Sequence, residues 1–544
     1  MLARTRRDLL RTFLGLPAAL AAGCGRAPAL PPGDVVGAAV GPGHRLRDTT
    51  PPRPAADAWE SVPVVIVGGG VAGLSAAWRL ARAGFDRFVL LEIEPAPGGT
   101  ARAGEGGVVP YPWGAHYLPA PMADNPGLLA LLREMDVIEG TGRDGQPIYA
   151  EHVLTRDPHE RVYAHGQWHD GLYLSAGASE DDLDQRRAFF AEVDRWVRFR
   201  DGKGRRAFCL PTSNASDDAE VTALDRLSMR AWMDEKRFTS PRLRWLVDYG
   251  CRDDYGATPE DVSAWAGLFY FASRRRTPGS DPQPLLSWPE GNGRLVGHLA
   301  GKVLEQIRLD RAVVEVIPTD PAGRRGVDVV AVSTKDDRVV GYHAEQVIFA
   351  APQFLRRYLL RHERQTPPRE LATFTYGSWM VANLHLDRRP AEPGVPLAWD
   401  NVLYHSPSLG YVVATHQAML DYGPTIFTYY YPLTGPDALA DRRQLLQLGR
   451  DEWAELALAD IESAHPEIRR LVKRLDVMRW GHAMIRPRPG FRWGPDRVKA
   501  RAASYGIHFA HSDLSGLALF EEAFDHGVRA ADEVLRARGV KAGA

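Results

Sequence analysis

Apolar residues fall into two rhythms along this chain, and each predicts a different element. Val62-Pro63-Val64-Val65-Ile66-Val67 is a nearly unbroken, β-branched run, the pattern of a strand covered on both faces. After a glycine-rich turn, Leu74 to Ala83 takes up helical spacing and stops at Gly84. Arg87-Phe88-Val89-Leu90-Leu91 returns to strand character and ends at Glu92. Much later, Ile307-Arg308-Leu309, Ala312 to Val316 and Gln346 to Ala350 read as strands, and Gly326 to Tyr342 alternates like a hairpin. Gln444 to Leu458 has the period of one helix. Ile507 to Ala510 reads as a short strand, and Glu521 to Ala531 as a final helix. Strands and helices in alternation predict an α/β chain.

The turn between the first strand and helix carries the first candidate chemistry. Gly68, Gly70 and Gly73 form G-x-G-x-x-G around Val71 and Ala72, and Glu92 follows Gly68 by 24 residues. The first glycine permits the tight turn, the second lets backbone approach a pyrophosphate, and the third lets helix and strand pack closely. The helix N-terminus offers free N–H groups to phosphates, and an acid at this distance accepts ribose hydroxyls. Strand, glycines, helix, strand and acid in this order predict a Rossmann-like site for an adenine dinucleotide.

The segments that follow decide which one. Pro97-Gly98-Gly99-Thr100-Ala101 comes soon after Glu92, and Trp113-Gly114-Ala115-His116-Tyr117 comes later. With Ala312 to Val316, Gln346 to Pro352, Trp480 to Pro487, and Phe509-Ala510-His511-Ser512-Asp513 ahead of the last helix, the chain resembles the FAD-dependent amine oxidase and phytoene desaturase superfamily. The resemblance implies a GR2-type FAD-binding domain assembled from 61–125, 285–365 and 475–540, beside a mixed α+β substrate domain from 126–284 and 366–474. It implies FAD contacts at Gly98, Gly99, Thr100, Ala115, His116, Val313, Ala351, Trp480, Ser512 and Asp513. His511 replaces the family's usual glycine and puts the local loop conformation in question.

For substrate chemistry the resemblance implies hydride transfer from a substrate C–H, most simply beside an amine nitrogen, to the flavin N5. The alternatives are desaturation of a lipidic or isoprenoid molecule with a non-oxygen acceptor, and a non-catalytic FAD-binding scaffold. Val381 stands where the family's oxidases carry a Lys, so a quinone or another acceptor is expected in place of oxygen. Leu517 or Leu519 stands where many carry a cage Tyr. No Cys near the carboxyl terminus can form a thioether, so FAD is expected to be noncovalent. Trp113, His116, Val381, Tyr430, Trp480 and Leu519 are the pocket candidates, and Arg252-Asp253-Asp254-Tyr255-Gly256 is an unusual charged cluster that could join them. No metal-ligand spacing is found.

Composition changes this picture little. The 544 residues are 44% hydrophobic and 25% charged with net charge −1, ordinary for a packed protein of several domains and without the basic excess of a nucleic-acid binder. Three Cys make no disulfide framework, though Cys209 and Cys251 could pair. The amino terminus adds an address. Thr5-Arg6-Arg7-Asp8-Leu9-Leu10-Arg11 fits the twin-arginine export pattern, and Leu20-Ala21-Ala22-Gly23-Cys24 resembles a lipobox with Cys24 as the acylated residue. We therefore expect a signal peptide over 1–24 and a Pro/Gly-rich tether over 25–60. The body is expected in the periplasm or on the membrane's outer face, in membrane contact through the lipid.

Overall fold

In the computed structural model, residues 29–37, 40–48, 50–319, 326–391 and 394–540 are described; the signal-like segment with Cys24 lies outside them. The run at 62–67 lies within the strand Trp59–Val67, inside a seven-stranded sheet. Its order is Ile307–Arg308, Phe88–Leu91, Trp59–Val67, Val339–Phe349, Val327–Ser333, Arg311–Pro318, with Ile507–Phe509 also pairing with Val339–Phe349. Alternate residues of the first strand enter different cores. Val64 and Ile66 pack with the helices Val71–Arg82 and Phe520–Ala537, while Val65 and Val67 pack with the strands of the hairpin. Burial on both faces is why the run has no polar alternation.

A second sheet of eight strands runs Val35–Val36, Val472–Ile485, Tyr376–Leu386, Thr425–Leu433, Tyr411–Val413, Asp400–Leu403, Glu160–Ala164, Gln167–Asp170. The helices Glu180–Arg198, Pro241–Tyr255 and Ala264–Ala272 share a hydrophobic core with it, rich in Trp and Phe. No helix among the described residues is long and apolar enough to cross a membrane.

Three expectations change, and the open question of the Cys209–Cys251 pair is answered. Strand Val472–Ile485 belongs wholly to the second sheet, so the boundary drawn at 475 falls inside a strand, and the chain returns to the first sheet only at Ile507. The tether over 25–60 is not free throughout its described part. Val35 and Val36 pair in parallel with Val477 and Met478, Val40–Asp48 is helical, and the first sheet begins at Trp59. Gln444 to Leu458 is not one helix but parts of two, Ala438–Gln447 and Arg450–Glu462, separated at Leu448-Gly449. Cys209 and Cys251 are buried and unpaired.

Candidate active site

The glycine turn forms a cradle that packs too closely on its protein side for side chains and stays open at Gly70. A Cβ on Gly73 would sit 1.9 Å from the Gly68 carbonyl oxygen, so helix and strand approach as closely as only Gly permits. A Cβ on Gly70 would meet nothing within 4 Å, leaving this backbone open to a ligand. Gly98, at φ +121°, donates its N–H to the Gly69 carbonyl at 2.8 Å and forms a parallel bridge to Gly70, which closes the cradle's second side. Val71 and Ala72 form the first helical turn. Glu92 is buried at the end of its strand and accepts the Gly69 N–H at 2.6 Å and the Glu94 N–H at 2.9 Å. Burial pushes its carboxyl pKa up, against the pull of these two N–H groups. Arg311 donates its N–H to the Glu92 carbonyl, which brings the strand of Val313 alongside. Ala351 abuts Gly68, whose Cβ would lie 3.3 Å from the Ala351 nitrogen. An open backbone turn at a helix N-terminus beside a buried acid fits the adenosine–pyrophosphate end of FAD.

The last helix crosses this cradle. Gly527 is required there, because a Cβ would lie 2.2 Å from the Ala72 carbonyl oxygen. Before that helix, Ser512–Leu514 form a single 3-10 turn. His511 has φ −173°, extended backbone open to any residue, so its replacement of glycine introduces no strain. Asp513 is 2% exposed. Its carboxylate accepts the Gln353 N–H at 2.9 Å and the Tyr376 hydroxyl at 2.7 Å, with His511 3.0 Å away. These partners hold its pKa below the usual range although burial opposes them. Asp513 therefore ties the turn to the second sheet, a positioning role not visible in the motif.

A cavity opens between the second sheet and the segments that follow the cradle. Thr100, Gly114, Ala115, Trp379, Val381, Tyr430 and Trp480 line it, with Leu519, just before the last helix. The Ala115 N–H donates to the Thr100 carbonyl at 3.0 Å, so the two segments expected at the flavin are strapped together. His116 stacks on Tyr430 with ring centroids 4.7 Å apart, and the Tyr430 hydroxyl donates to the Gly114 carbonyl at 2.9 Å. Burial lowers the His116 pKa to about 4, so the ring is neutral at pH 7. Val381 is 1% exposed and pairs across the sheet with Tyr430 and Met478. The Trp480 indole donates to the Trp113 carbonyl at 2.6 Å, with the Arg102 guanidinium 5.4 Å from its ring.

Among its other, largely apolar lining residues the cavity carries four acids. Asp253 and Asp254 come from the helix Pro241–Tyr255, Asp400 begins the strand Asp400–Leu403, and Glu521 lies in the first turn of the last helix. The Tyr117 hydroxyl lies 3.2 Å from both Asp253 and Asp254. Arg274 donates to Asp254 at 2.7 Å and to the Tyr117 oxygen at 3.0 Å, and the Tyr249 hydroxyl donates to Asp400 at 2.9 Å. Burial raises the pKa of Asp253 to about 7 and of Glu521 to about 8, and moves Asp254 and Asp400 upward.

Of the six pocket candidates, His116, Val381, Tyr430, Trp480 and Leu519 line the cavity and Trp113 does not. Trp113 is buried behind, edge-on to Tyr111, and serves through the carbonyl that holds Trp480. The charged cluster at 252–256 divides. Asp253 and Asp254 face the cavity, while Arg252 turns to Asp248 and to the carbonyls of Pro407 and Ser408. Sequence reasoning missed Tyr249, Arg274, Asp400 and Glu521 as site residues. Each is an ordinary residue of its own element, and only the charge run beside Asp253 gave any signal.

The family described as flavin containing amine oxidoreductase matches residues 71–535. Among solved structures, a putrescine oxidase bound to putrescine superposes with a TM-score of 0.63 at 15% identity, over 88% of this chain and 100% of that one. Cyclohexylamine oxidase from Brevibacterium oxydans gives 0.61 at 14%, over 88% and 100%. A fatty acid isomerase from P. acnes that produces CLA gives 0.59 at 14%, over 87% and 98%. At these identities the likeness is one of fold. Comparison with curated protein sequences gives no match.

Proposed function

Because the chain belongs to the flavin-containing amine oxidoreductases and is a flavin-dependent oxidoreductase, we propose that it oxidises a small amine at the carbon beside nitrogen, using noncovalently held FAD. Bound FAD supplies the two-electron hydride acceptor. The amine carbon gives up a hydride and its nitrogen a proton; the resulting imine takes up water to leave a carbonyl compound and ammonia or a shorter amine. The chain's own part is to bind, orient and exclude water. His116, Tyr430, Trp379 and Trp480 form an aromatic face against which a substrate carbon can be held.

The observation that carries the amine reading is the set of acids on the cavity. Asp253, Asp254, Asp400 and Glu521 stand against one guanidinium, Arg274, which is itself tied to Asp254, and His116 adds no positive charge. Burial pushes these acids toward their neutral forms; a protonated amine draws them back to carboxylates, whereas a carboxylate pushes them further, so fatty acids and amino acids fit the wall poorly. A lipidic or isoprenoid hydrocarbon fits no better, since it offers these buried polar groups no partner. Cys209 and Cys251 do not line the cavity, which supports noncovalent flavin. Val381 gives the flavin face no ammonium, which supports a quinone or another acceptor over rapid reaction with oxygen. For location we propose twin-arginine export and a lipid on Cys24, with the body outside the cytoplasmic membrane.

Anaerobic mixing of the yellow holoenzyme with amines, amino acids, fatty acids and isoprenoids tests the chemistry. Bleaching by amines alone is expected, and bleaching by a carboxylate-bearing or hydrocarbon substrate with none by amines would overturn it. For location, cell fractionation with Cys24→Ala is expected to move the protein from membrane to soluble fractions; equal membrane recovery would remove the anchor.

A further inference from the structure

We propose that the substrate carries a second cationic group, an ammonium or guanidinium remote from the oxidised carbon, and that Asp253, Asp254 and Asp400 hold it. This rests on the amine reading. The reacting nitrogen must be neutral, because its lone pair stabilises the positive charge that develops as hydride leaves the neighbouring carbon. Carboxylates favour the protonated form of whatever amine they touch. A wall of them is the wrong partner for the reacting nitrogen and the right partner for another one.

Donors and acceptors at this wall do not balance. Asp253, Asp254 and Asp400 come from a helix and from a strand of the second sheet, far apart in the chain, and converge on one cavity. The side-chain donors that reach them, among the described residues, are the hydroxyls of Tyr117 and Tyr249 and the guanidinium of Arg274. Tyr117 has one proton to share between two carboxylates that lie equally near. Among the described residues, the second oxygen of Asp254 is buried and has no donor, and neither has one oxygen of Glu521 on the same cavity; both residues are only 4% exposed. Leaving buried acceptors unpaired is costly, and an ammonium or guanidinium brings several N–H donors together with the missing charge. The upward pKa of Asp253, Asp254 and Asp400 follows from burying them with too little positive charge, and a bound cation reverses that.

The placement suits a remote group. Tyr430 pairs across the sheet with Val381, the position expected at the flavin, and its other neighbours include Asp400 and Asp253, whose charges add to burial in raising its pKa. A substrate lying along Tyr430 can therefore have its reacting end beside Val381 and its charged end at the carboxylates.

The test uses the holoenzyme and four linear probes of equal length: a monoamine, an α,ω-diamine, an ω-guanidino amine and an ω-amino carboxylate. Binding is measured by anaerobic calorimetry and reduction by flavin bleaching. The two dications are expected to bind at least about tenfold more tightly than the monoamine, and the amino carboxylate more weakly than it. In Asp253→Asn with Asp400→Asn, the dication-to-monoamine ratio is expected to fall to about threefold or less. If that variant does not fold with flavin, the four-probe ranking in the wild type still decides. Equal binding of monoamine and dications, or a preference that survives in the folded variant, overturns the proposal. Bleaching by amines without the preference overturns this proposal and leaves the amine reading standing. Preferential dication binding with no bleaching supports the cation site and overturns the amine reading.

Discussion

Glu92→Ala removes the one carboxylate that joins the glycine turn to the end of its second strand. In the folded chain that carboxylate accepts two backbone N–H groups, from Gly69 at 2.6 Å and Glu94 at 2.9 Å, and it is only 7% exposed. Its removal takes away the expected ribose partner and leaves the Gly69 N–H, in the middle of the cradle, without its acceptor. A hydrogen bond to a charged group contributes about 1.5–3 kcal/mol, so FAD affinity should fall about 10- to 150-fold. Titration of apoprotein with FAD, followed by quenching of flavin fluorescence, measures this directly. Glu94→Ala is the control, since that side chain instead pairs with Arg102 at 3.3 Å. A dissociation constant for Glu92→Ala within about twofold of wild type, in a protein of native circular dichroism, would refute the placement of the adenosine end of the cofactor.

Gly73→Ala places a methyl 1.9 Å from the Gly68 carbonyl and should leave little flavin in the purified protein, read as the ratio of visible to ultraviolet absorbance. Tyr430→Phe leaves the Gly114 carbonyl without its 2.9 Å donor and should lower unfolding free energy by about 1–3 kcal/mol in denaturant melts. Val381→Lys should speed reoxidation of reduced enzyme in stopped-flow mixing with oxygen; wild-type reoxidation already as fast as the variant's would remove the reason given for a non-oxygen acceptor. His116 has a folded pKa of about 4 against 6.5 unfolded, so the unfolded chain binds its proton first as pH falls. Wild type should thus lose up to roughly 3 kcal/mol of stability between pH 6.5 and 4 that His116→Phe, which keeps a ring against Tyr430, does not lose. Parallel denaturant curves for the two proteins at about pH 7 and about pH 4.5 measure the difference.

The cofactor end was legible because its physics is local. Gly68, Gly70 and Gly73 fall within one turn, and the backbone geometry they permit is set by neighbours a few residues away. The substrate end was not, because it is assembled across the fold. Tyr117, Asp254 and Arg274 meet from a loop after the cradle, a helix and the segment after another helix, the first two 137 positions apart and the last two 20. No periodicity spans such gaps. Trp113 shows the converse limit: an aromatic in a segment expected at the flavin reads as a pocket wall, yet it packs edge-on to Tyr111 in the core and leaves its carbonyl to hold Trp480. The tether failed for a related reason, since Pro and Gly richness describes what Val35 and Val36 lack locally and says nothing of a distant strand edge waiting for them.

That edge has a consequence for how the chain is made. The Asp34 N–H donates to Asp476, 442 residues onward, and Val35 and Val36 complete the outer edge of the strand that carries Trp480. At ordinary translation rates of about 5–20 residues per second, roughly 20 to 90 s separate the emergence of the two partners. Throughout that interval the segment around Asp34 has no strand to join, and whatever reads the amino terminus can do so without competition from the fold. The edge behind Trp480 is then closed by residues synthesised among the first, so this part of the cavity's backing is finished only when nearly all of the chain exists.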